Sequence, residues 1–103
     1  MTYYPAPVHM GQFDAVRAGD IVDLYLEIAA DLIAPEVIAT VVFTVTDSAG
    51  AVVAGVVTAH TETTTRTDLR LAVPAVAGMY LLTAVFTISD GQKLTRLADL
   101  QVV

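Results

Sequence analysis

The stretch GMYLLTAVFTISDGQKLTRLADLQVV, residues 78–103, decides how this chain is read. Tyr80, Leu82, Ala84, Phe86 and Ile88 alternate strictly with Met79, Leu81, Thr83, Val85 and Thr87. Successive side chains of a strand point to opposite faces, so a period of two marks a β-strand with one face turned to a core. Ser89-Asp90-Gly91-Gln92 supplies the residues of a tight turn, and Lys93 to Val103 returns as the last strand. The second face of the long strand is also largely apolar. A strand apolar on both sides is covered on both sides, yet a two-layer sandwich covers only one. Met79, Leu81 and Val85 are therefore expected to meet a partner, an arm or another subunit.

The same pattern extends toward the N-terminus. Gly19-Asp20 makes a turn. Val22, Leu24, Leu26 and Ile28 then alternate with Asp23, Tyr25 and Glu27, which predicts a half-buried strand. Residues 29–36, with Asp31 and Pro35, read as a loop in which Ala29 to Ile33 has room for a helical turn. Val37 to Thr46 is the next strand, with Val41, Phe43 and Val45 inward, and Asp47-Ser48-Ala49-Gly50 is a hairpin connection. Ala51 to His60 returns as a strand. The threonine-rich Thr61–Thr67 suits extended backbone through β-branching, and Leu69, Leu71 and Val73 alternate with Asp68, Arg70 and Ala72. Pro74 to Gly78 turns the chain into the long strand. With a short strand over Gln12–Ala18, the total is about seven strands at the spacing of an antiparallel sandwich. No segment sustains a helical period.

Residues 1–11 read as an extended N-terminal arm, and residues 12–103 as the sandwich. Pro5 and Pro7 fix their own φ and restrict their predecessors. Tyr3 and Tyr4 on such an arm suit docking onto a neighbour, because tyrosine buries area at low entropic cost; the alternative is a frayed terminus.

Composition sets further bounds. The chain has 103 residues, 55% of them hydrophobic, with a mean hydropathy of +0.67. One small core cannot hide that load, so part of the surface is expected to be covered by a partner or by copies of the chain. The absence of cysteine excludes disulfides and thiolate metal sites. No signal peptide is visible in residues 1–11, and no apolar run approaches the roughly 20 residues that cross a bilayer. Synthesis in a cytoplasm and no membrane partner are the expectations. Net charge is −6, and residues 1–52 hold seven of the eleven acids against one base, Arg17. Nucleic-acid binding needs a basic surface to displace counterions, so no nucleic-acid partner is expected.

Four motifs in fixed order carry a resemblance. They are the Gly19-Asp20 opening of an alternating strand, Phe43-Thr44-Val45-Thr46-Asp47-Ser48-Ala49-Gly50 at the end of a central strand, Ala77-Gly78-Met79-Tyr80 entering the penultimate strand, and Ser89-Asp90-Gly91 before the last. Over about residues 12–103 the chain resembles the immunoglobulin-like domains of tailed-bacteriophage structural proteins. The likeness is greatest to the short N-terminal domain of phage baseplate upper proteins and its stand-alone relatives. The resemblance implies an immunoglobulin-like antiparallel β-sandwich that joins or decorates parts of a virion and does no chemistry. It also implies that Tyr80 stands where such folds place a corner tyrosine, the alternative being an ordinary core tyrosine. No receptor-binding tail, fibre repeat or coiled coil follows Val103, which favours an adaptor, neck or decoration subunit.

The residues that carry chemistry elsewhere do not gather into a site here. His9 lies in the arm and His60 at a strand end, without the spacing of a metal set or a nucleophile motif beside them. There is no Gly-x-Ser-x-Gly elbow and no glycine-rich phosphate loop. Asp14, Asp20, Asp23, Glu27 and Asp31 are the densest acids, but a calcium site needs six or more converging oxygens from a ligand-rich loop; a solvated strand face accounts for them. No catalytic, metal or cofactor residue is expected, and no cofactor. The expected interface residues are Tyr3, Tyr4, Pro5, Pro7, Tyr25, Met79, Leu81 and Val85. The expected partners are other virion proteins and copies of the chain itself, in a homo-oligomer within the virion. The alternative is a carbohydrate- or cell-surface-binding accessory module, which would use exposed aromatics; the chain has four tyrosines and no tryptophan.

Overall fold

A computed structural model describes residues 8–33 and 35–103, with side chains from residue 13 onward. Seven strands are formed: β1 Val8–Gln12, β2 Ile21–Glu27, β3 Ile38–Thr46, β4 Val57–Glu62, β5 Arg66–Ala72, β6 Gly78–Ile88 and β7 Lys93–Val102. One 3-10 turn, Ala29–Asp31, follows β2. The strands make two sheets, a four-stranded one in the order β1-β7-β6-β3 and a three-stranded one in the order β2-β5-β4.

The hairpin that decided the sequence reading anchors the larger sheet. β6 and β7 pair antiparallel from Gly78↔Val102 to Thr87↔Lys93, and β3 pairs with the other side of β6, with Val41 opposite Phe86 and Val45 opposite Leu82. Asp90 shapes the connecting turn by accepting a hydrogen bond from the Gln92 amide at 2.9 Å. In the turn after β3, Asp47 Oδ1 accepts from the amides of Ala49 and Ala51 at 2.9 and 3.0 Å. Gly50 there has φ 84°, a left-handed conformation that costs any side-chain-bearing residue about 1–2 kcal/mol.

The inward rows of both sheets build one core. Tyr80, Leu82, Ala84, Phe86 and Ile88 of β6 meet Val41 and Val45 of β3, Leu94 and Leu100 of β7, Leu26 of β2, and Leu69 and Leu71 of β5. Leu71, Ala84, Phe86 and Leu100 are completely buried. Each large apolar side chain buried in this way contributes about 1.5–3 kcal/mol, which makes the alternation of β6 the main determinant of the fold. Tyr80 enters the core ring first while its hydroxyl donates to the Val76 carbonyl at 2.7 Å.

The structure departs from the sequence reading in three places. The first strand lies at Val8–Gln12, all but its last residue within the stretch read as arm, and not over Gln12–Ala18. It also runs parallel to β7 in a sheet expected to be wholly antiparallel. Beyond it, Phe13, Val16 and Ala18 donate amide hydrogens to the carbonyls of Asp99, Gln101 and Val103. Residues 13–18 thus continue alongside β7 through single bonds and bridges. The return strand expected over Ala51–His60 begins at Val57. Val52 makes only an isolated bridge to Thr46, and the glycine at position 55 has φ 77°, which breaks the extended run.

Candidate interaction surfaces

The outer faces of the two sheets differ in chemistry, and the difference follows from which row of each strand points outward. On the three-stranded sheet, Asp23, Tyr25 and Glu27 of β2 stand opposite Arg70, Asp68 and Arg66 of β5, with Ala59 and Thr61 of β4 beyond. Arg70 Nε donates to Asp23 Oδ1 at 2.9 Å, and its amino group reaches Oδ2 at 3.3 Å, a bidentate grip across the two strands. Arg66 donates to Asp68 Oδ1 from Nε at 2.9 Å and from an amino group at 2.6 Å. Its guanidinium carbon also stands 4.1 Å above the centre of the Tyr25 ring, within the range of a cation–π contact. The Arg70 hydrogen bond holds the Asp23 carboxyl below its ordinary range, against an opposing effect of desolvation. The hydrogen bonds to Asp68 and Asp23 push Arg66 and Arg70 up in turn. Tyr25, Thr61, Arg66, Asp68 and Arg70 line an open hollow of about 410 Å³. Its charges are matched within the sheet.

The four-stranded sheet turns a different row to solvent. Thr40, Val42, Thr44 and Thr46 of β3 stand beside Thr87, Val85, Thr83 and Leu81 of β6, and these stand beside Lys93, Thr95, Leu97 and Asp99 of β7. The two central ranks, Val42–Val85–Thr95 and Thr44–Thr83–Leu97, hold aliphatic and threonine side chains alone. Among these outward residues of β3, β6 and β7, charge enters near the two ends of β7, as Lys93 and Asp99. Val42 is 64% exposed and Met79 is 40% exposed. Leu81, Val85 and Leu97 are half-buried, flanked by neighbouring strands on both sides. The Lys93 ammonium rests on the Thr87 hydroxyl at 3.0 Å.

Other polar groups are engaged inside the fold. Phe43 and His60 meet edge to face at 5.0 Å across the β3 and β4 edges, and His60 Nδ1 is hydrogen-bonded to Glu62 Oε1. Arg96 is 4% exposed on the inward row of β7. Its Nε donates to Asp31 Oδ2 at 3.2 Å, and an amino group donates to the Thr95 carbonyl at 3.0 Å. The 3-10 turn after β2 is thereby tied to the four-stranded sheet. Among the described residues no three His, Cys, Asp or Glu side chains lie close enough to hold a metal ion, and no helix is long and apolar enough to cross a membrane.

The interface residues expected from the sequence separate into three places. Met79, Leu81 and Val85 lie together on the outer face of the four-stranded sheet. Tyr25 lies on the opposite face of the molecule, 55% exposed and capped on one side by Arg66. Tyr3, Tyr4, Pro5 and Pro7 lie outside the described residues. Sequence reasoning missed the buried Arg96–Asp31 pair, although its signal was present: Arg96 shares a parity with Leu94, Ala98, Leu100 and Val102. No protein-family model matches this chain, and no curated protein matches it.

Proposed function

We propose that this chain is an immunoglobulin-like assembly domain of a tailed-phage particle, a tail, neck, baseplate or capsid component that works through protein–protein contacts and performs no catalysis. The phage attribution is supported by the sequence motifs given above. The immunoglobulin-like reading is supported by topology: the sheets β2-β5-β4 and β7-β6-β3 reproduce the B-E-D and G-F-C orders of that fold. Tyr80, two residues into β6, bonds to a carbonyl four residues upstream, as a corner tyrosine does. The chain lacks the inter-sheet disulfide and buried tryptophan of antibody domains, and its first strand joins the G-F-C-type sheet beside the last strand.

The observation that carries the assembly reading is the contrast between the two faces. One sheet neutralises its own charges with paired arginines and aspartates. Across β3, β6 and β7 the other presents mainly threonine and aliphatic side chains, with Val42 and Met79 exposed and Leu81, Val85 and Leu97 half-buried, more than the isolated apolar residues a monomer normally exposes. The carbohydrate-module reading is less favoured, because Arg66 occupies one face of Tyr25, the tyrosine exposed among the described residues that such a module would offer to a sugar. The test is direct. Particles purified from cells carrying this gene should contain the chain at a fixed ratio to the major capsid protein, measured by quantitative mass spectrometry. Its absence from washed particles would overturn the proposal.

A further inference from the structure

We infer that β2 receives residues 2–7 of a second copy of this chain as an added antiparallel strand, so that copies are joined through the arm. The inference deepens the assembly reading and rests on it. The two sheets have four edge strands, β1 and β3 on one and β2 and β4 on the other. An open edge offers unpaired backbone groups to any extended chain, and proteins blunt it with a bulge, a proline, a lysine or a cover. Three of these four edges have an interrupted register, between His9 and Gln12 in β1, Ile38 and Thr40 in β3, and Val57 and Ala59 in β4. The edge of β3 is also covered in part by Val53, whose amide donates to the Val45 carbonyl at 2.8 Å. The fourth edge, β2, pairs without interruption from Ile21↔Ala72 to Glu27↔Arg66, and its sequence IVDLYLE holds no proline, glycine or lysine.

The backbone of β2 shows which groups that edge presents. The Val73 amide donates to the Asp20 carbonyl at 2.8 Å, and the Ile28 amide to the Thr65 carbonyl at 2.9 Å. These bonds flank β2 and make its even-numbered positions the ones that bond β5. The amides and carbonyls of Ile21, Asp23, Tyr25 and Glu27 therefore point to the open edge, where no described backbone group bonds them. Val22 and Leu24 pack against the core from the inward row and are still only half-buried, as expected where no described strand lies beyond β2. Asp23 and Glu27 would guard the edge by charge, but each is held within its own copy, Asp23 by Arg70 and Glu27 Oε1 by the Ala29 amide at 2.9 Å.

The shape of the edge selects one strand as its occupant, not a second sheet. The four-stranded sheet is one strand wider than the sheet it faces. Phe43 of β3 and His60 of β4 meet along one side of the sandwich, so the surplus strand, β1, stands beyond β2 on the other. A second sandwich brought edge to edge with β2 would run into β1, whereas a single extended segment would not. Residues 2–7 have the required pattern. Backbone groups and side chains of a strand both alternate in direction. When Thr2, Tyr4 and Ala6 bond the open edge, Pro5 and Pro7 turn theirs to the solvent side, where a missing N–H costs nothing. Residues opposite one another share a face, so Tyr3, Pro5 and Pro7 extend the inward row of Val22 and Leu24. Residues 1–8 contain no acidic side chain, so the added strand sets no like charge beside Asp23 and Glu27. The segment comes from another copy because β1 begins opposite Arg96, which bonds Asp31 just beyond the end of β2. Doubling back along its own β2 would lay the segment parallel to it and spend residues on a turn, leaving too few for the seven positions of β2. An arm given and an edge received by each copy make a head-to-tail contact, which closes into a ring or extends.

Sedimentation velocity and hydrogen exchange followed by NMR test this. The full chain should associate increasingly from about 1 to 500 μM, the range of a contact this small, and removal of residues 1–7 should leave a monomer throughout. A synthetic peptide of residues 1–8 should bind the truncated chain and slow exchange at the amides of Asp23, Tyr25 and Glu27. Ala6→Pro in the peptide removes a donor that faces β2 and should weaken binding about tenfold or more, whereas Pro7→Ala should leave it within about twofold. Circular dichroism checks that the truncated chain is folded; if it is not, the peptide in excess should dissociate the oligomers of the full chain. A full chain that stays monomeric, association that survives in the folded truncated chain, exchange unchanged at those amides, or equal binding of the two peptide variants would each overturn the inference. Loss of the arm contact in a chain still found in purified particles would remove the contact alone. Arm-linked oligomers that never enter particles would remove the phage role and leave the contact.

Discussion

Removing Asp31 should destabilise this domain more than removing the buried arginine that Asp31 holds. Arg96 sits on the inward row of β7 at 4% exposure, and the Asp31 carboxylate is 39% exposed at the rim of the same core. Asp31→Ala leaves the guanidinium in place without its counter-charge. Breaking a fully buried pair in this way costs about 3–5 kcal/mol. Because Asp31 is partly solvated, screening reduces that figure, and we expect about 2–3 kcal/mol. Arg96→Met removes the charge and its desolvation cost together while keeping an unbranched apolar side chain in the space, so it should cost less than about 1 kcal/mol. The double variant should be no less stable than Arg96→Met alone, a coupling of about 2 kcal/mol. Urea unfolding followed by circular dichroism measures all three, and total stability of about 5–15 kcal/mol for this length leaves each variant folded. Additive losses, or an Arg96→Met variant less stable than Asp31→Ala, would refute the reasoning and mean that the arginine itself stabilises the core.

Three further predictions concern single groups. Tyr80→Phe removes the hydroxyl that bonds the Val76 carbonyl at 2.7 Å. Val76 is exposed and its carbonyl can turn to water, so the loss should be about 1 kcal/mol, a fall in Tm of about 4–8 °C with an unchanged urea m-value. Thr67 is completely buried, and its hydroxyl has no hydrogen-bond partner among the described residues. Thr67→Val keeps the shape and removes the unmet polar atom, so it should raise stability by about 1 kcal/mol in the same urea assay. The Asp23 carboxyl has its pKa lowered by Arg70. Its contribution to stability is therefore complete above the ordinary aspartate value and is lost as pH falls through the lowered folded-state value. A carboxyl NMR titration should place the Asp23 midpoint below that of a model peptide, and Arg70→Gln should return it to the ordinary range.

The sandwich was legible wherever one strand face is buried and the other is not. Val22 to Ile28 and Tyr80 to Ile88 announce their inward rows because burial of one face writes a period of two into the sequence, and the turns at Asp47–Gly50 and Ser89–Gln92 are spelled by residues that bond their own backbone. The first strand was not legible. Val8–Gln12 is held by hydrogen bonds to β7, a partner more than 80 residues away, and local sequence records no such debt. Ala51–Val56 failed in the opposite sense: its valines have strand propensity, but positive φ at Gly55 and one isolated bridge to β3 keep it irregular. The apolar outer row of β6 could be read directly. That Tyr25 would lie on the far side of the molecule from it could not.

The sequence by itself determined that this chain is built from strands, which residues face the core, and where the main hairpins turn. Those properties depend on side-chain period and local backbone preference, which are written within a few consecutive residues. Tertiary structure alone decided that β1 runs parallel to β7, that Arg96 is compensated by Asp31 at the rim of the core, and that the paired arginines and aspartates of β2 and β5 are gathered on one sheet. Each of these depends on which distant strands become neighbours, and that choice belongs to the packing of the whole core.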